Sequence, residues 1–107
     1  GESVVSRLLD IGVNMGTGRA GQFLQETINV LNLDQQITAD IATDGVVGPN
    51  TLDALKQIIQ QRSNLPIKKI LTEMLRCKQG NYYMSLAAER PKDQKFVAGW
   101  FSQRLLD

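Results

Sequence analysis

Apolar residues recur every three or four positions along most of this chain, and that spacing leaves a helical fold as the arrangement that buries them. Val4, Val5, Leu8, Leu9 and the run from Ile11 to Met15 predict a first helix, with Ser3 as its N-cap. Gly16-Thr17-Gly18 breaks the pattern. A second helix follows, with Ala20, Phe23, Leu24, Thr27, Ile28 and Leu31 on one face and Gln22, Gln25, Glu26 and Asn29 on the opposite, polar one. Gly48-Pro49 opens a third, because proline is pre-organised for the first helical position. Its inward residues are expected to be Leu52, Leu55, Ile58 and Ile59. Asn64-Leu65-Pro66 then leads into a fourth stripe of Ile67, Ile70, Leu71, Met74 and Leu75, which continues past Gly80 through Tyr82, Tyr83 and Leu86 to about Ala88. Arg90-Pro91 is a breaker, and a last short helix carries Phe96, Val97, Trp100, Phe101, Leu105 and Leu106.

Residues 33–49 fit neither period. Leu33, Ile37, Ile41, Val46 and Val47 alternate poorly with polar residues, so an irregular loop and a short β-hairpin both remain open there, with Asp44-Gly45 as a tight turn. The expected fold is all-α: about five helices in one domain over residues 1–107. The chain starts with Gly1-Glu2 rather than Met and shows no signal peptide, so it reads as an excised domain or a processed form.

Composition removes several function classes. With 12 Lys and Arg against 11 Asp and Glu, the formal charge is +1, which gives no basic footprint for nucleic acid. No apolar run approaches a membrane span. Histidine is absent, which excludes a Ser-His-Asp triad, a Cys-His dyad and an imidazole-based metal site. Cys77, the single cysteine, cannot form an internal disulfide and reads as a partly buried structural thiol. Hydrolysis would have to run on carboxylates, and Asp10, Glu26, Glu73, Glu89 and Asp93 all read as solvated helix-face residues, without the apolar pocket that a general acid needs. No catalytic residue, metal or cofactor is therefore expected.

Two motifs yield to plainer readings. Gly16-x-Gly18-x-x-Gly21 matches the dinucleotide fingerprint in letters, but that motif needs a preceding β-strand in a parallel βαβ unit, and the preceding pattern here is helical. A glycine-rich turn between helices is the better reading. Asp34, Asp40 and Asp44 lack the alternate spacing and terminal glutamate of a calcium loop. Aromatic and amide residues carry more: Tyr82-Tyr83 follow Gly80-Asn81, and Trp100 follows Gly99, placing rings where the helix pattern falters. Rings stack on sugars, and amides and arginine bond acetamido, peptide and carboxylate groups. Core packing is the competing reading for Trp100 and for one of the tyrosines.

Several segments together carry a resemblance. Asp10-Ile11-Gly12-Val13-Asn14-Met15-Gly16 comes first, followed by Arg19-Ala20, Leu24-Gln25 and Asn29-Val30-Leu31. Asp44-Gly45-Val46-Val47-Gly48-Pro49-x-Thr51-Leu52-x-Ala54-Leu55, Tyr82-Tyr83, and Phe96-x-x-Gly99-Trp100-x-x-x-Arg104 complete the set. In this order they resemble the C-terminal peptidoglycan-binding domain of secretion-activator and phage-endolysin-type muramidases, a lysozyme-like glycoside hydrolase family. The resemblance implies a helical domain that binds glycan strand and stem peptide, following an N-terminal segment that cleaves the β-1,4 bond between N-acetylmuramic acid and N-acetylglucosamine. That family's catalytic glutamate lies in a Glu-Gly-Gly motif, which does not occur here. The chain is thus expected to bind without cutting, or to supply one wall of a cleft whose acid lies upstream, in the periplasm or cell wall, serving wall remodelling, lysis or protein and toxin secretion.

The substrate-binding residues expected are Asn14, Gln25, Tyr82, Tyr83, Trp100 and Arg104. Asn14 and Gln25 would bond acetamido or peptide groups, a tyrosine would stack, and Arg104 would pair with a stem-peptide carboxylate. A second reading is a protein-interaction or dimerisation domain using Trp100, Phe101 and Leu105 as an exposed stripe. The sequence leaves the oligomeric state open.

Overall fold

A computed structural model describes residues 3–106. It contains α1 (Val4–Met15), α2 (Thr17–Val30), α3 (Pro49–Gln61), α4 (Ile67–Glu89), a 3₁₀ turn (Pro91–Asp93) and α5 (Gln94–Arg104). No strand occurs among the described residues, so the fold is all-α and residues 33–48 form a loop, not a hairpin. The chain divides into two units, Gly1–Leu75 and Arg76–Asp107.

Local chemistry sets the helix ends. Ser3 caps α1, its Oγ accepting from the Ser6 N–H at 3.0 Å. Gly16, at φ 94°, adopts the left-handed conformation that lets α1 stop and α2 start within one residue. Pro49 occupies the first turn of α3, where its missing N–H costs nothing. After α2, Leu33, Asp34 and Gln35 take φ values of 53°, 54° and 62° in succession. Left-handed backbone costs a non-glycine residue roughly 1–2 kcal/mol, so this bend is held by contacts elsewhere in the loop.

In Gly1–Leu75, one core cluster joins Leu24, Ile28 and Leu31 with Ala54 and Ile58 of α3 and Ile67 and Leu71 of α4. A second gathers Ile11, Ala20 and Leu75. Each buried Leu or Ile among them contributes about 1.5–3 kcal/mol through burial. The inward face of α3 is Thr51, Ala54 and Ile58, spaced three and four apart, and this corrects the expectation for Leu52, which is exposed. Arg7 is buried as well, with a guanidinium nitrogen 3.5 Å from the Asp10 carboxylate.

In Arg76–Asp107, the remainder of α4 turns back through the 3₁₀ turn into α5. Gly80 lies where α5 packs: a Cβ there would stand 3.3 Å from the Phe101 ring and 3.4 Å from Leu105 Cδ1. The Arg76 guanidinium donates to the Leu105 carbonyl beyond the end of α5. Cys77 is exposed rather than partly buried. The inward positions of α4 run Leu71, Leu75, Gln79, and residue 77 falls on the opposite side of that line.

Candidate functional site

Gln25, Asn29 and Asn32 follow one another at intervals of four and three, so they sit along one side of α2 and its end. The loop of residues 38–46 hangs from them. A side-chain carboxamide offers the same donor and acceptor as a peptide group, so each can take the place of a neighbouring strand. Asn29 Nδ2 donates to the Ile41 carbonyl at 2.9 Å, and its Oδ1 accepts from the Ile41 N–H at 3.0 Å. Asn32 treats Thr38 in the same way, accepting from its N–H at 3.0 Å and donating to its carbonyl, and also reaches Asp40 Oδ1 at 3.1 Å. Gln25 Oε1 accepts from the Gly45 N–H at 2.8 Å, while Nε2 lies 3.1 Å from each of Val46 O, Asp44 Oδ1 and Thr51 Oγ1.

The glycines make room for this suspension. A Cβ on Gly21 would stand 2.3 Å from the Gly45 carbonyl oxygen, and one on Gly45 would stand 2.5 Å from that of Gly18. Gly45 also has φ 80°, a second reason for glycine. Gly21 of the Gly16-x-Gly18-x-x-Gly21 motif is thus the flat part of α2 on which the Asp-Gly turn rests, with Gly45 lying against the Gly18 carbonyl.

Between the suspended loop and the start of α3 lies a pocket of about 520 Å³. Carboxylates of Asp40, Asp44 and Asp53, the amide of Asn50 and the Thr51 hydroxyl contribute to its lining, and no Lys or Arg does. Asp44 accepts from the Val46 N–H at 2.9 Å and from Gln25. These bonds, the Val46 one foremost, hold its carboxyl below the ordinary value of 3.8. It is ionised at neutral pH. The pocket therefore offers acceptors and negative charge, which suits a ligand rich in amide N–H or ammonium groups.

A cluster of aromatic side chains lies in Arg76–Asp107. Tyr83 is buried, its hydroxyl accepting from Gln79 Nε2 at 3.0 Å. Its ring meets Trp100 at 5.4 Å, tilted by 38°, and Phe101 at 5.9 Å edge-on. Trp100 is half-buried and stacks on the exposed ring of Phe96 at 6.4 Å. The Lys95 ammonium stands 5.1 Å from the Phe96 centroid.

The expected substrate-binding residues are therefore distributed over both units. Asn14 is exposed near the end of α1, its amide donating to the Asp10 carbonyl at 2.7 Å and carboxylate at 3.2 Å. Gln25, only 1% exposed, lines the pocket while its amide is engaged by the loop. Tyr83 and Trp100 are in ring contact, Tyr82 is half-buried in the same stretch of α4, and Arg104 is half-buried at the end of α5. Reading the sequence passed over Asp40, Asn50 and Asp53 as pocket residues and Asn29 and Asn32 as supports. The signal available was amide residues at helical spacing facing a segment without a strand partner.

A family model described as Predicted Peptidoglycan domain matches residues 19–105. The match includes the three supporting amides, every pocket residue and all of α5. No curated protein matches the chain.

Proposed function

The chain belongs to the family described as Predicted Peptidoglycan domain, and from that premise we propose that it grips the wall polymer by its stem peptide at the pocket beneath the Asp-Gly turn. The observation carrying this reading is the pocket's composition. Stem peptides present amide N–H groups and, where uncrosslinked, the ammonium of a diamino acid; Asp40, Asp44, Asp53 and Asn50 supply the matching acceptors. Gln25 acts by fixing the shape of the pocket. On the other unit, Trp100 and Tyr82 offer half-covered rings to the glycan and Arg104 a guanidinium to a carboxylate, with Tyr83 behind them as support. Asn14, exposed at the end of α1, bonds an acetamido group.

The domain retains a lysozyme-like muramidase segment on its substrate in the periplasm or cell wall, during wall remodelling, lysis or secretion. We propose that the chain itself does not cut: it has no histidine, and among the described residues no carboxylate lies buried in an apolar pocket. Co-sedimentation with purified sacculi, with muropeptide release assayed in the same tubes, tests both halves. Retention without release is expected, and Asp53→Lys should weaken retention by about tenfold through charge reversal at the pocket. Release of muropeptides, or retention unaffected by Asp53→Lys and Asn50→Ala together, overturns the assignment.

A further inference from the structure

A concavity of about 750 Å³ lies in Gly1–Leu75, with a lining distinct from that of the polar pocket and of opposite chemistry. Both α1 and α3 pack on α2, and the gap between them is floored by Ala20, Gly21 and Leu24. Val5, Leu9 and Val13 stand along one wall, Leu52, Leu55 and Ile59 along the other, and no acidic residue contributes to the lining. The lining is mostly apolar, with Ser3, Thr17, Thr72, Lys68 and Lys69 as its polar members and no carboxylate to accept from amide or ammonium groups. Its α1 wall also lies outside the residues matched to the family.

The α1 wall is itself a ridge. Val5, Leu9 and Val13 are spaced by four, and they are 65%, 65% and 85% exposed. Residue spacing of this kind puts them in one row along the helix. A ridge of apolar side chains running beside an apolar groove is a self-complementary surface, which is the requirement for a two-fold contact. We infer that this face pairs with a second copy of the chain, α1 of each copy lying antiparallel in the groove between α1 and α3 of the other. The axis passes near Leu9, so Leu9 meets Leu9 of the other copy, and Val5 meets Val13.

The area is sufficient. Val5, Leu9, Val13, Val47 and Leu52 line the groove and are all largely uncovered. Covering them removes about 500 Å² of apolar surface per copy, hence on the order of 1,000 Å² for the pair, the floor for a specific protein interface. The antiparallel pairing completes a helix layer that α1 and α3 leave open.

Sedimentation equilibrium of the 107-residue chain from low to high micromolar concentration, under reducing conditions, provides the test. A monomer–dimer equilibrium is expected, and Leu9→Glu should weaken it by at least about 100-fold, since the two-fold axis would set two like charges together in an apolar contact. Leu9→Cys in a Cys77→Ser background gives a readout that tolerates the fold: rapid oxidation to a covalent dimer is expected, and Lys56→Cys in the same background should stay monomeric. A monomer at every concentration, a dimer that survives Leu9→Glu, or no preferential crosslinking at position 9 overturns the inference. Persistent monomer would assign the groove to a lipid or to a different protein. Sacculus retention, which depends on the polar pocket, is expected to survive Leu9→Glu, so failure here is distinct from failure of the peptidoglycan reading.

Discussion

The two units solve the problem of a polar interior by different means. In Gly1–Leu75, buried amides of Gln25 and Asn32 bind main-chain groups of a loop, while aliphatic side chains of α1, α2, α3 and α4 close two clusters. In Arg76–Asp107, the buried amide Gln79 binds a tyrosine hydroxyl, and the surrounding rings of Phe96, Trp100 and Phe101 remain partly exposed. No residue of α5 is fully buried. Main-chain partners fix a loop's path, whereas a side-chain partner fixes a ring only. The comparison separates a rigid, polar pocket from a looser aromatic surface, and it implies that α5 opens at lower free energy than α2.

The comparison can be broken most severely at the glycine contact. Gly21→Val places a side chain where 2.3 Å separates a Cβ from the Gly45 carbonyl, and destabilisation of about 4 kcal/mol is expected by urea unfolding. A fully folded, equally stable variant would mean the loop is not seated on α2. Gln25→Ala leaves the Gly45 N–H without its acceptor and opens a cavity, with an expected loss of about 3 kcal/mol. The same variant should release sacculi, because the pocket loses its wall. Trp100→Ala removes a ring that is already half-exposed, so it should cost about 1–2 kcal/mol, with hydrogen exchange of α5 rising and that of α2 unchanged. Equal acceleration in both helices would erase the distinction between the units.

Acid supplies the finest test. Because the folded pKa of Asp44 lies below its ordinary value of 3.8, its bonds stabilise the fold fully above that value. The contribution fades as pH falls from there through the depressed folded pKa. Asp44→Asn should therefore be less stable than the parent at neutral pH, and the gap should narrow below about pH 4 in thermal melts. A gap that is constant with pH would remove the charge from the account.

Helix boundaries were legible because their causes are local. Ser3, Gly16, Pro49 and Pro91 each act through their own backbone, and the structure places them at the ends the pattern predicts. Leu52 shows where this stops. Periodicity places an apolar residue on a helix but leaves the inward direction open by one position, and the neighbours that select Thr51 and Ala54 are distant in sequence. Gln25 and Asn29 read as a polar outer face because amides usually lie there; their loop partners lie 12 to 21 residues ahead, in a segment with no period of its own, and Thr51 lies 26 ahead in α3. Turn chemistry located the Asp-Gly turn, yet the pocket residues Asp40 and Asp53 required the loop's path through space.

The amide suspension has one more consequence. Asn29 and Asn32 grip residues 41 and 38 by N–H and C=O, and Gln25 takes the N–H of residue 45 and the carbonyl of residue 46. Those are groups that almost any amino acid supplies. Ala39 and Ala42 line the pocket, are exposed, and take no part in the grip. The anchoring and the lining are thus written in different atoms of the same segment. Substitution at positions 39 and 42 changes what the pocket presents to a ligand while leaving the scaffold untouched, so new binding preferences can be reached by single steps without crossing an unfolded intermediate.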